Sequence, residues 1–419
     1  MTDSLDTDLI ASRLAEIVGA THISAAPADI DAYGGLDPIL VAWPGAAPEV
    51  ARALKTCREL GVAVGVAAGG TRASRHWPLA DDRPRVALDT RRMMNILEVD
   101  EVSLTTHCQC GIQLGHLEEA LRRQGLSLGP FPVGIRSHTL GGALAALDPT
   151  AHSPQTGWLT DSCMGLSVAH AEGSLIHTRI APRRATGPDL AKLYLGSRGA
   201  LGVITTAVLK VRRLPEQEQV LAFMLPGLAE GLAAARRCLA CGVRPARLRL
   251  LGQAQALVEL GDVAASMQAV CLVALAGPAS RIFEEQKRVG ELMTALGGGE
   301  LPQSVASRWW SHQAVPLEQE PEQRPVGARV RYSEAAAALL AAPTTVRRAQ
   351  VCLWAEEFTL QGANLWFCCR PKAGQPDRQA LRSALLDAGL NPFRLSFPPL
   401  LGQLRARLDP DETLVVMEA

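Results

Sequence analysis

No apolar run in this chain reaches the ~20 residues that a bilayer-spanning helix requires. Net charge is absent as well, with 42 lysines and arginines against 42 aspartates and glutamates. That balance argues against nucleic acid or an anionic membrane as the main partner, while leaving a local basic patch open. The first twenty residues, MTDSLDTDLIASRLAEIVGA, open with acids and lack a basic segment, so no secretory signal is expected. The ten cysteines then read as reduced thiols of a cytoplasmic protein, not as a disulfide framework. After His177 the sole histidine is His312, so no histidine cluster is available in the second half.

What the chain has is length. Its 419 residues exceed one ordinary core, and two domains are expected. PEVARALKTCRELG places Val50, Leu54, Cys57 and Leu60 on one face and stops at a glycine, as an amphipathic helix should. VAVGVAAGGT reads as an apolar strand entering a glycine-rich turn, and RVALDTRRMMNILEVDEVSLTTHCQCG reads as several short strands. QLGHLEEALRRQG is a second helix, and MGLSVAHAEGSLIHT a hairpin turning at Glu172–Gly173. Beyond RRLPEQEQ, strands such as MQAVCLVALAG alternate with helices such as LAEGLAAARRCLACG. Helices on one face of an antiparallel sheet would account for this, with the boundary near residue 215. The stretch from Pro302 to Ala342 takes no assignment.

Three clusters of small residues end strands or helices in the first half: AAGGT (Ala67–Thr71), TLGG (Thr139–Gly142) and GSRGALGVI (Gly196–Ile204). At such ends, free backbone N–H groups can face an anion or a flat ring, provided no side chain intervenes. Glycines at 196, 199 and 202, just before a β-branched run, are what a backbone surface for a ligand would need.

RRATGPDLAKLYLGSRGALGVITTAVLKVRRLPE resembles the segment closing the flavin domain of FAD-linked oxidases of the vanillyl-alcohol-oxidase type, whose FAD-binding domain is called PCMH-type. RVALDTRRMMNILEVDEVSLTTHCQCGIQLGHLEEALRRQGLSLGPFP and HTLGG extend the likeness collinearly over about residues 38 to 216. Within that superfamily it is most similar to the alkyl-dihydroxyacetone-phosphate synthase, glycolate oxidase and D-lactate dehydrogenase branch. The resemblance implies an α+β, two-domain PCMH-type fold whose C-terminal antiparallel sheet is covered by helices. It divides the chain into a segment 1–37, an FAD-binding domain 38–215 and a cap or substrate domain 216–419. It implies FAD as cofactor, with Ala68, Gly69, Gly70, Thr71, Arg72 and Ala73 around the pyrophosphate. Thr139, Leu140, Gly141 and Gly142 would pass alongside, and Gly196, Gly202, Val203 and Ile204 would lie against the flavin.

The sequence departs from the family at defined places. Arg72, Arg75 and His76 stand where the family's phosphate loop has small residues, Arg198 where it has Glu, and His138 where Ser is common. His76, His138 and Cys163 qualify by residue type alone for a covalent flavin link. No acid–base constellation and no metal site can be named. Cys238 and Cys241 form a CxxC on a helix, outside any thioredoxin-like pattern, and buried or idle thiols are the better expectation. The expected function is an FAD-dependent oxidoreductase passing a hydride from a small hydroxy acid or alcohol to flavin N5. The alternative is a catalytically weak or inactive accessory subunit of a glycolate-oxidase-like complex. Expected partners are a small-molecule substrate and a sister flavoprotein or iron–sulfur subunit.

Overall fold

A computed structural model describes residues 3–33, 36–68, 83–131, 135–146, 152–181, 187–311, 326–332, 352–356, 358–359, 361–368, 383, 386 and 399–415. Three sheets organise them. The first runs in the order Ile23–Ser24, Leu40–Ala42, Arg85–Asp89, Ala63–Ala67, Leu414–Val415, and all but the edge pair at Ile23–Ser24 is parallel. Its central strands are apolar runs because both faces are covered. The helix Ala47–Glu59 buries Val50, Leu54 and Cys57 against one face, together with Ile10 and Leu14 of the helix Asp3–Val18.

The second sheet is antiparallel, in the order Leu175–His177, Cys163–Ala169, Val203–Lys210, Thr105–Gln109, Ile96–Asp100. Its core is closed by the helices Leu114–Arg122 and Leu140–Ala146. The expected hairpin turn at Glu172–Gly173 is present, with Ala169 paired to Leu175. Ala169 and Val203 reach into the core of the first sheet, which fixes the two sheets against each other.

From Gln217 the chain builds a seven-stranded antiparallel sheet whose interior strand Ala269–Gly277 has all nine residues buried. The helices Leu228–Ala240 and Ala279–Thr294 pack on one face. The expectation of helices on one face alone is corrected here. Ala256 and Leu260 of the helix Gln253–Leu260, with Val305 and Trp309 of Gln303–Ser311, cover the opposite face. A nine-residue strand with no polar alternation needs both covers. A second correction concerns the C-terminal end. Leu414–Val415, read with the cap domain, runs parallel beside Ala63–Ala67 in the first sheet. Asp409 holds it there, accepting from the amides of Thr413 (2.9 Å) and Leu414 (2.8 Å).

Candidate functional site

The described parts of the small-residue clusters, Ala67–Ala68, Thr139–Gly142 and Gly196–Ile204, lie where strands of the first and second sheets end side by side. Ala67 closes its strand opposite Asp89, and its carbonyl accepts from the Thr90 hydroxyl. Gly111 follows the strand Thr105–Gln109 and sits directly on the chain leaving Asp89. A Cβ there would overlap the Thr90 carbonyl and lie 2.9 Å from that of Met93, so only glycine fits. On the other side, the Cys110 amide donates to the Thr205 carbonyl (2.9 Å), and the Cys110 carbonyl accepts from the Gly141 amide (2.7 Å). One residue pair, Cys110–Gly111, thus ties Thr90, Gly141 and Thr205 together.

In two of the clusters most of the amides expected to be free are already bonded within the protein. In TLGG, Leu140 donates to Ile112 (2.8 Å), Gly142 to the Thr139 hydroxyl (3.3 Å) and Ala143 to the Thr139 carbonyl (3.0 Å). In the 196–202 turn, the Gly196 amide donates to Leu144 (3.0 Å), Arg198 to Ala145 (2.9 Å), Ala200 to Ser197 (3.0 Å) and Gly202 to Gly199 (3.3 Å). The Gly196 and Arg198 bonds staple the turn to the end of the helix Leu140–Ala146. They use the donors that an anion would need. Gly202 also has a packing role, since its φ is +146° and a Cβ would lie 2.7 Å from Val168 Cγ1 and 2.8 Å from the Ala169 carbonyl. Its bare face turns toward the neighbouring strand.

Open backbone remains on the same junction. Gly141, Gly142, Gly196 and Gly199 are half-buried. A Cβ on Gly199 would meet nothing within 4 Å, and one on Gly142 would meet only the Thr139 hydroxyl. Arg198 lies between two of these glycines with φ +54°, a left-handed conformation that costs an arginine free energy. Its guanidinium is half-buried and has no partner among the described residues, and burial lowers its pKa.

Around this surface the polar groups are paired. Fully buried Asp89 accepts from the Arg91 amide (2.8 Å), Nε (2.9 Å) and Nη2 (2.7 Å) and from the Tyr33 hydroxyl. Burial and the Asp89 carboxylate push the Tyr33 phenol up, and Asp89 raises the Arg91 pKa. Buried His170, whose ring lies against Gly202, shares a 2.9 Å hydrogen bond with the Tyr194 hydroxyl, and burial lowers its pKa.

Of the residues singled out in the sequence, Ala68 is half-buried at its strand end and has no left-handed backbone. Gly69, Gly70, Thr71, Arg72, Ala73, Arg75 and His76 lie outside the described residues. Leu140 and Ile204 are core residues of the second sheet, and Val203 belongs to the core of the first. Gly111, His170 and Tyr194 escaped the sequence reading. Gly111 left one signal, a single glycine directly after a strand, which is too common to act on. Among the described residues no group of three or more His, Cys, Asp or Glu could hold a metal. Cys238 of the CxxC is buried with its thiol pushed up to about 12, whereas Cys241 is exposed.

Residues 38–179 match the model of the FAD binding domain family. The chain belongs to the PCMH-type FAD-linked oxidase superfamily. It is 31% identical over 214 residues to the alkyldihydroxyacetonephosphate synthase of Dictyostelium discoideum, covering 51% of this chain and 35% of that protein. It is 27% identical over 259 residues to glycolate oxidase subunit GlcD of Bacillus subtilis, covering 60% of this chain and 54% of that one. The chain thus matches about a third to half of the length of these relatives. In fold it resembles the 4-ethylphenol oxidase of Gulosibacter chungangensis, solved with isoeugenol, at a TM-score of 0.75 and 13% identity over 99% of this chain and 98% of that one. FAD is the cofactor that this domain indicates. The junction fits it: side-chain-free backbone at Gly199 faces open space, Gly142 is covered only by the Thr139 hydroxyl, and Arg198, with no partner among the described residues, stands beside Gly199.

Proposed function

We propose that this protein oxidises a small hydroxy acid or alcohol, the carbinol C–H leaving as hydride while the hydroxyl proton departs to a base or water and a carbonyl forms. FAD, when bound, supplies the two-electron acceptor, with N5 receiving the hydride. One observation carries this reading. Half-buried Gly142 and Gly199 leave backbone uncovered on two stapled elements, beside an arginine with no partner among the described residues. Gly142 and Gly199 would let a flat ring approach the backbone, with Gly141 and Gly196 as their supports, and Arg198 offers the anion partner. Since the amides of TLGG and of the 196–202 turn are largely spent on the protein, the pyrophosphate is assigned to Ala68–Ala73. Thr139, Leu140, Gly202, Val203 and Ile204 support the surface from behind. The first two sheets form the cofactor domain and the seven-stranded sheet the substrate cap, divided near residue 215.

No helix among the described residues is long and apolar enough to cross a membrane, and a cytoplasmic location is proposed on that basis. The Bacillus subtilis relative is by name a subunit, and a sister flavoprotein or iron–sulfur partner as the next electron carrier is proposed on that ground. Anaerobic titration of the flavin-loaded protein with glycolate, D-lactate and short alcohols tests the activity. Bleaching of the visible flavin band by one of them is expected. A loaded flavin that no member of the panel bleaches would overturn the reading in favour of an accessory subunit.

A further inference from the structure

Far from the flavin junction, the cofactor and cap domains flank a cleft of about 510 Å³ that is open to solvent. Arg212, Thr156 and Gln155 line it from the cofactor domain, and Arg244, Arg281, Glu284, Glu285 and Arg288 from the cap. Arg212 follows the strand that begins at Val203, so it stands about 30 Å along the chain from Gly202, at ~3.3 Å per residue. This is a separate place from the backbone surface described above.

Its charge does not close internally. Arg281 bridges Glu285 at 3.2 Å. Arg212 donates to the neutral carbonyls of Leu128 and Thr156, and Arg288 to that of Cys241. The Arg244 guanidinium has no partner among the described residues, and Glu284 forms no ion pair among them. Three guanidinium groups therefore face the cleft with no bound carboxylate, and burial lowers the pKa of Arg212. Two buried polar atoms on the wall also lack a partner, the Thr156 hydroxyl and Oε2 of Glu285, a residue only 7% exposed. Groups left in that state carry a desolvation penalty that a ligand's polar atoms would relieve.

We propose that this cleft is a second binding site, taking a small phosphorylated polyol or sugar. The phosphate suits Arg244, Arg288 and Arg212, because guanidinium forks match its oxygens. The Thr156 hydroxyl can donate to the same group, and a hydroxyl on the ligand's carbon skeleton can donate to Glu285 Oε2 while the phosphate stays on the arginines. The volume lies within the range of small-ligand pockets. Because its walls come from both domains, the bound ligand would bridge them.

Calorimetric titration of the FAD-loaded protein in phosphate-free buffer, with ribose 5-phosphate and separately inorganic phosphate, tests this. Ribose 5-phosphate should bind with a Kd below about 1 mM and more tightly than phosphate. Arg244→Ala and Arg288→Ala, both at exposed positions, should each weaken it about tenfold, the loss of one charge-assisted hydrogen bond. Thr156→Val should weaken it several-fold. No binding by the wild type, equal binding by a variant carrying both Arg244→Ala and Arg288→Ala, or complete competition by potassium chloride at matched ionic strength would each overturn the site. The heat signal does not depend on flavin reduction, so it stands or falls apart from the oxidase activity.

Discussion

The Thr90 carbonyl occupies the space that a side chain on Gly111 would need. This contact joins the exit of the strand Arg85–Asp89 to the exit of Thr105–Gln109, and through Cys110 it reaches both Gly141 and Thr205. Backbone packed this closely has no flexible atom to give way. Gly111→Ala should therefore destabilise the cofactor domain by about 1–3 kcal/mol, as overpacking does, and weaken flavin retention with it. Thermal melting with and without added FAD checks both effects. An unchanged melt would show that the junction is looser than the contact implies.

Arg198 connects strain to binding. Arg198→Gly removes the left-handed cost and should stabilise the flavin-free protein by about 0.5 kcal/mol, net of glycine's extra freedom when unfolded. The same change removes the unbalanced charge, so FAD or substrate affinity should fall about tenfold, while Arg198→Lys should lose less. Melts of the flavin-free protein and fluorescence titration with FAD separate the two effects. A glycine variant with full FAD and substrate affinity would remove Arg198 from the site.

The sequence made the scaffold legible where periodicity was strong. Val50, Leu54 and Cys57 marked one helix face, and the all-apolar AVGVA and AVCLVALAG marked strands, though not that both faces of the latter are covered. Gln253–Leu260 was missed because it is short, follows a strand without a break and buries Gln255. Gln303–Ser311 was missed because it lies in a Pro- and Gln-containing stretch with no clean start signal. The glycine clusters were visible as clusters, but their hydrogen bonding was not. Leu144, Ala145, Cys110 and Ile112 accept those amides across distances in sequence that no local pattern encodes.

His170 makes stability depend on pH. Its pKa in the folded protein lies below the ordinary value of about 6.5, so the unfolded chain binds the extra proton first as pH falls. The stabilisation is present above pH ~6.5 and is lost as pH drops through the lowered folded pKa. His170→Gln keeps a partner for the Tyr194 hydroxyl and should flatten this part of the curve. Urea midpoints measured between neutral and mildly acidic pH test it, and parallel curves for the two proteins would contradict it.

Asp409 is the latch of the C-terminal strand. Asp409→Ala leaves two buried amides, those of Thr413 and Leu414, without an acceptor and should cost about 3 kcal/mol. Asp409→Asn keeps one acceptor oxygen and should cost about half as much. Because Leu414 pairs with Val64 on the strand leading to Ala68, the alanine variant should also bind FAD more weakly. Limited proteolysis and FAD titration would show both changes, and a variant as resistant as the wild type would contradict the latch.

The most direct test of the account is the visible absorbance spectrum of the purified protein, repeated on the supernatant after denaturation. Bands at about 370 and about 450 nm, released into the supernatant or retained on the chain, are expected of an oxidised flavin serving as the working cofactor. A protein that is colourless as isolated and stays colourless after incubation with FAD and removal of the excess would contradict the proposed oxidase.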